Sequence, residues 1–169
     1  EILGQEEVGS TRLLIVGAGK AAEGEEKDWV ALGGYIGGLV GARKTETALV
    51  VAEVDDSGER SAADIAADLA FGALLRTYKF RKYKTKNAKS TDADDEERGK
   101  KDASEDKVLT RLTIATADPD GAQEAFGERM AVAEGVSLAR DLVNEPANVL
   151  GPVEFAARVQ ESESPGLEV

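Results

Sequence analysis

The side chains most often recruited for catalysis are missing from this chain. It has no histidine and no cysteine. That removes Ser-His-Asp and Cys-His catalysis, disulfides, and every transition-metal site built on thiolate or imidazole. Any chemistry in the 169 residues falls to Asp, Glu, Lys, Arg, Ser, Thr or Tyr. Carboxylates are plentiful, with 33 Asp and Glu against 21 Lys and Arg, but no pair has a spacing that demands acid–base work. The densest acidic run, Asp92 to Glu97, sits in a polar stretch that offers no rigid frame. A hard cation needs preorganised oxygens, so no metal role is assigned to it.

Two local patterns carry a chemical suggestion. Gly17-Ala18-Gly19-Lys20-Ala21-Ala22 follows an apolar run and fits the spacing of the dinucleotide fingerprint G-x-G-x-x-[GA]. That fingerprint needs a helix opening within the motif, with its N-terminus facing the phosphates. Here Glu23, Gly24, Glu25 and Glu26 follow, placing acid where phosphate would sit. A tight turn leaving a strand explains the glycines as well. The second pattern is Tyr78-Lys79-Phe80-Arg81-Lys82-Tyr83-Lys84. Interleaved aromatics and cations can stack on and neutralise single-stranded nucleic acid. They also suit a helix C-terminus, with cations against the dipole and aromatics packed inward. The net charge of −12 favours the second explanation, because nucleic acid and anionic membrane are both polyanions.

The elements that would position these residues follow from periodicity. Arg12 to Val16, Thr47 to Val54 and Val108 to Ala115 are apolar runs expected as strands. The first two are nearly continuous in apolar character, as in a parallel sheet covered on both faces. The third alternates and suits an edge. A helix is expected over Lys27 to Val40, although it carries Gly33, Gly34, Gly37 and Gly38, with Gly41 following. Each costs about 1 kcal/mol against alanine in a helix interior, and their four-residue spacing bares one side for close approach by the sheet or another helix. Ser61 to Phe80 is a second helix, capped by Ser61 with Asp64 in a box-like arrangement. Ile65, Leu69 and Gly72 or Ala73 share one face of it. Asp118-Pro119 opens a third, expected to stop near Asn144 before Pro146, and Pro152 opens a short fourth with a stripe of Phe155, Ala156 and Val159. Gly166 to Val169 reads as the approach to another strand.

Between the second helix and the third strand, residues 84–107 are rich in Lys, Asp, Glu, Ser and Thr, the composition of an exposed, mobile loop. The longest uncharged stretch, Trp29 to Ala42, lies between Asp28 and Arg43 and is too short to span a bilayer. No signal-peptide pattern opens the sequence, and because residue 1 is Glu, not Met, the natural N-terminus is expected upstream.

The segment with the most specific wording is Ala139 to Phe155, ARDLVNEPANVLGPVEF. Physically it is a helix end, an Asn-Glu-Pro-Ala-Asn turn and a new helix start, with Asn144 and Asn148 able to bond local backbone. Composition alone supports a helix–turn–helix connector. The wording resembles the connector of leucyl (cytosol) aminopeptidases, R-x-L-x-N-x-P-x-N-x-L-T-P-x-x-F-A. Arg140, Leu142, Asn144, Pro146, Asn148, Leu150, Pro152, Phe155 and Ala156 match it. Upstream, RLLIVGAGK resembles the family's strand ending in G-x-G-K, and Tyr78, Phe80, Tyr83 and Lys84 match its Y-x-F-x-x-Y-K segment. The blocks occur in family order over most of the chain. Gly151 departs from the family's usual Thr or Ser, at a loss of a few tenths of a kcal/mol in capping.

The resemblance implies an α/β fold: a mixed, mostly parallel sheet flanked by helices, in a macro-like N-terminal domain over residues 1–134. Residues 135–169 would then be a helical connector toward a missing C-terminal catalytic domain. The family removes N-terminal residues from peptides with two divalent metals, manganese or zinc, held by Asp, Glu and Lys of that later domain. On this basis no residue of the present chain is a catalytic, cofactor-binding or metal-ligating residue, and the chain is expected to be inactive alone and truncated at both ends. The implied partners are its own catalytic domain, peptide substrates and the other copies of a homo-hexamer, a dimer of trimers; the implied location is cytoplasmic. Two other functions fit a macro-like fold: a module holding a nucleotide or ADP-ribose-like ligand near Gly17 to Lys20, and an assembly domain with no ligand.

Overall fold

The computed structural model describes residues 12–19, 27–43, 45–52, 60–83 and 109–162. In chain order these hold helix α1 (Trp29–Ala42), strand β1 (Thr47–Val51), helix α2 (Ala62–Thr77), strand β2 (Arg111–Ala115), helix α3 (Pro119–Asn144) and helix α4 (Pro152–Gln160). The expected loop at 84–107, the acidic run within it, Lys20 to Glu26 and the final Gly166 to Val169 lie outside the described residues.

Each helix begins where its sequence supplies an acceptor for the orphan N–H groups of the first turn. Asp28 Oδ1 accepts from Ala31 N at 2.8 Å, Ser61 Oγ from Asp64 N at 3.0 Å, and Asp118 Oδ1 from Gly121 N at 3.0 Å. Ser61 Oγ also donates to Asp64 Oδ2 at 2.8 Å. That bond, with Arg129 second, holds the Asp64 carboxyl below its usual pKa. At α4, Gly151 has no side chain to offer, and Glu154 reaches back to its N–H at 3.1 Å. α3 ends at Asn144 and Glu145 turns extended at ψ 135°, as the residue before a proline must.

β1 and β2 form a parallel pair in the register Thr47↔Arg111 to Val51↔Ala115, and α2 lies in the crossover between them. α2 is the centre of the packing, in contact with α1, α3 and β2. Its buried residues include Ile65, Leu69, Gly72 and Ala73, the face that periodicity marks. The bare side of α1 meets α2: a Cβ on Gly33 would stand 2.2 Å from the Leu69 carbonyl oxygen, and one on Gly72 would stand 1.9 Å from that of Val30. The helix–helix alternative for the glycine spacing is the one realised.

Two strand expectations are corrected. Arg12 to Val16 is not a strand here, and Ile15 is 90% exposed. Apolar, β-branched character makes a strand only where another strand completes the ladder, and none among the described residues pairs with this one. β1 is also not covered on both faces. Both strands alternate between exposed and half-buried residues, and Leu49 and Val51 are each 64% exposed. Among the described residues, α2 packs on β2 only weakly.

α3 carries Gly127 and Gly135 with nothing near the place of a Cβ. Alanine there removes the backbone-entropy penalty without a clash. Gly127→Ala and Gly135→Ala should each raise stability by up to about 1 kcal/mol, read as higher urea midpoints with an unchanged slope. Lower midpoints would mean that the outer side of α3 is closely packed.

Candidate functional site

The connector and the aromatic–basic segment, 62 to 66 residues apart in sequence, meet in space. α2 ends at Thr77, and residues 78–83 leave it toward the C-terminal end of α3. Two acceptors, Asp141 and Glu145, and one donor, Arg140, wait there. Tyr78 Oη donates to Asp141 Oδ1 at 2.6 Å. Arg140 Nη1 donates to the Leu75 carbonyl at 2.8 Å, with its guanidinium 5.5 Å from the centre of the Tyr78 ring. Glu145 is the focus: Lys82 Nζ and Tyr83 Oη donate to its two oxygens, and Arg158 Nη1 of α4 reaches Oε1 at 3.4 Å. Its side chain is only 1% exposed, so three donors surround a carboxylate shut off from water. Phe80 and Tyr83 pack with their rings tilted at 53° and their centroids 5.9 Å apart.

Electrostatics follow this geometry. The Glu145 carboxyl is held below its usual pKa by the Lys82 bond first and the Tyr83 bond second. The Lys82 ammonium is held above its usual value by the same bond, as is the Tyr83 hydroxyl, with burial adding to it. Tyr78 is raised by burial and then by Asp141. A depressed carboxylate contributes stability above its unfolded pKa and loses it as pH falls through the lower folded value. A raised lysine contributes below its unfolded pKa and loses it as pH rises through the higher folded value. The junction therefore holds across neutral pH and loosens in acid, below the ordinary 4.5 of glutamate. Glu145→Gln should melt well below the unmodified protein at about pH 7, and the gap should shrink as pH falls below the ordinary 4.5 of glutamate. A gap independent of pH would remove the charge from the explanation.

The asparagines do less than expected. Asn144 Nδ2 donates backward to the Arg140 carbonyl at 2.7 Å and touches Tyr78 Oη at 3.5 Å. Asn148 is exposed and has no hydrogen bond among the described residues. The turn is closed by Val149 N and Leu150 N donating to the Pro146 carbonyl at 2.9 and 3.0 Å. The connector's shape thus rests on Pro146 and Glu145, and Asn148→Ala should be close to silent in a melting curve. Glu145 is the residue that sequence reasoning missed. The signal was the pair Asp141 and Glu145, four apart at the end of a helix, facing a segment of tyrosines and lysines.

A second cluster lies between α2 and α3. Asp68, 4% exposed, receives Arg129 Nε at 2.7 Å on one oxygen and Arg60 Nη1 at 2.7 Å on the other, the latter as an ion pair without hydrogen-bond alignment. Arg129 also meets Asp64 at 3.1 Å and the Ala125 carbonyl at 2.9 Å. Both acids are spoken for by arginines, so this cluster ties helices together. Among the described residues no three acidic side chains are placed to hold a metal ion. An open groove of about 510 Å³ between α2, β2 and α3 is lined by residues such as Ala70, Leu74, Ile114 and Phe126 and offers no convergent charges. Gly17 to Gly19 are exposed, Gly19 with φ 80°.

The whole chain is 44% identical over 169 residues to a protein of Rhizobium leguminosarum bv. trifolii named "Probable cytosol aminopeptidase", and spans 31% of that protein's length. Among solved structures, a bottromycin maturation enzyme, BotP, in complex with Mn is 28% identical with a TM-score of 0.54, over 79% of this chain and 23% of that one. A tomato leucine aminopeptidase mutant is similar in fold, with a TM-score of 0.61 at 23% identity, over 86% of this chain and 26% of that one. The family described as "Cytosol aminopeptidase family, N-terminal domain" matches residues 2–87. The chain therefore belongs to the cytosol aminopeptidase family, as its N-terminal domain.

Proposed function

We propose that this chain is the non-catalytic N-terminal part of a metal-dependent leucyl aminopeptidase, a cytoplasmic hydrolase that removes N-terminal amino acids from peptides. In this reading residues 1–134 form a macro-like domain and residues 135–169 lead into the catalytic domain. No residue of the chain ligates metal or touches the scissile bond, and two divalent ions, manganese or zinc, belong to the part that follows. The intact enzyme assembles as a hexamer. The observation that carries the reading is the match of the whole chain to a protein named as a cytosol aminopeptidase, of which it covers 31%. The Glu145 junction supports a mechanical role, since its donors come from both sides of the connector turn.

The full-length protein tests it. It should hydrolyse leucine p-nitroanilide, lose turnover to a chelator and regain it with manganese or zinc. Full turnover in a metal-stripped protein would defeat the proposal.

A further inference from the structure

Beside the crossing of α1 and α2 lies an open pocket of about 390 Å³, walled by Arg76 and Arg140 with Gly34, Gly72, Leu75 and Tyr78. No Asp or Glu among the described residues lines it. In a chain of net charge −12, this concavity carries two cations and no anion. A cleft lined by one sign of charge focuses the field of those charges.

The two guanidiniums are held differently. Arg140 is half-buried. It gives Nη1 to the Leu75 carbonyl at 2.8 Å and lies 5.5 Å from the centre of the Tyr78 ring. One of its five N–H donors is thereby used, and the carbonyl and the ring fix the plane of the rest. Arg76 is exposed and has no hydrogen bond or ion pair among the described residues. Its Nε comes 3.1 Å from the place of a Cβ on Gly38, so the bare side of α1 makes room for its guanidinium. The nearby acceptors are already engaged. Arg76 stands in the last turn of α2, where a cation ordinarily answers the carbonyl end of a helix. There the Leu74 carbonyl receives Thr77 Oγ at 2.8 Å and the Leu75 carbonyl receives Arg140. Asp141, next to Arg140 in the chain, receives Tyr78 Oη at 2.6 Å.

The geometry points to this pocket as a binding site for a small dianionic oxyanion, either inorganic phosphate or the phosphate group of a monoester. Two guanidiniums balance the nearly two negative charges that such a group carries at neutral pH. Each planar fork can meet two of its oxygens. Arg140 is the fixed fork and Arg76 the one free to close. A lone carboxylate would leave one of the two cations unanswered. Gly34 and Gly72 leave backbone without side chains in the wall, so a ligand can approach closely. The site uses none of the donors of the Glu145 junction, and it is a binding role beyond that of a scaffold for peptide hydrolysis.

The test is calorimetric titration of the full-length protein, treated with chelator so that no metal competes for the anion. Inorganic phosphate, phenyl phosphate and acetate are titrated separately. Phosphate and phenyl phosphate should bind and acetate should bind more weakly than either. Tighter binding of phenyl phosphate than of phosphate identifies a monoester as the ligand; the reverse order identifies the free ion. Arg76→Gln should weaken phosphate binding about 10- to 100-fold, the loss of one charged hydrogen bond. Its melting temperature without ligand should stay unchanged, because Arg76 has no partner to lose. Arg81→Gln, at an exposed arginine that does not line the pocket, should bind phosphate as the unmodified protein does. Arg140→Gln should also weaken binding; if loss of the Leu75 contact prevents folding, Arg76→Gln decides alone. Absence of phosphate binding by the unmodified protein would overturn the proposal. So would acetate binding as tightly as phosphate, equal affinity in Arg76→Gln, or an equal loss in Arg81→Gln, which would mark a diffuse effect of surface charge.

Discussion

Asp68→Ala is expected to destabilise the fold by about 3–5 kcal/mol, the range for breaking a buried ion pair from one side. The carboxylate is enclosed, its side chain 6% exposed, and Arg129, 19% exposed, loses the oxygen it meets at 2.7 Å. Asp64 is left as that arginine's acidic partner, at 3.1 Å. Stability of a domain this size is about 5–15 kcal/mol, so the variant would sit near its unfolding threshold. Removing both enclosed charges should be milder: Asp68→Ala with Arg129→Met leaves only Arg60, 38% exposed to solvent, without its partner, and should recover part of the loss. Urea unfolding of the two variants decides it. A loss below about 1 kcal/mol for Asp68→Ala would mean that the cluster behaves as an exposed ion pair.

Gly72→Ala is the second large effect. The added Cβ would stand 1.9 Å from the Val30 carbonyl oxygen and 2.8 Å from the Gly34 nitrogen. Both are backbone atoms, so no side-chain rotation relieves the overlap and α1 must move off α2. Overpacking costs about 1–3 kcal/mol and occasionally more; the fixed backbone on both sides places this one at the top of that range. Gly41→Ala, at the exposed end of α1 with nothing within 4 Å, should be neutral or slightly stabilising. Equal effects at Gly72 and Gly41 would contradict the close crossing of α1 and α2.

The features legible in the sequence were those decided within a few residues. Ser61 with Asp64, Asp118 before Pro119, and Pro146 past Asn144 fix helix ends by local bonding and sterics, and the ends fall there. The glycine spacing of α1 announced a close neighbour but left open which element it would be, because the complement on α2, Gly72 facing Val30, lies in a different segment. Arg12 to Val16 shows the limit. Its residues favour a strand, but a strand exists through its partner, and pairing is not local. The candidate site divides the same way. The matched connector wording lies at the junction described above, and its asparagines looked like the fasteners. The fastener is Glu145, whose donors Lys82, Tyr83 and Arg158 come from two other segments. Nothing in the spacing of Asn144, Glu145 and Asn148 ranks the glutamate first. Asp68 was hidden for the same reason, with Arg129 61 residues away.

The central claim is that this chain shapes and carries an aminopeptidase without performing its chemistry. The most direct measurement is an assay of the purified 169-residue chain with leucine p-nitroanilide and added manganese, beside the full-length protein at equal molar concentration. The account predicts turnover by the full-length protein and none above background by the chain. Turnover by the pure chain, rising in proportion to its concentration, would contradict it.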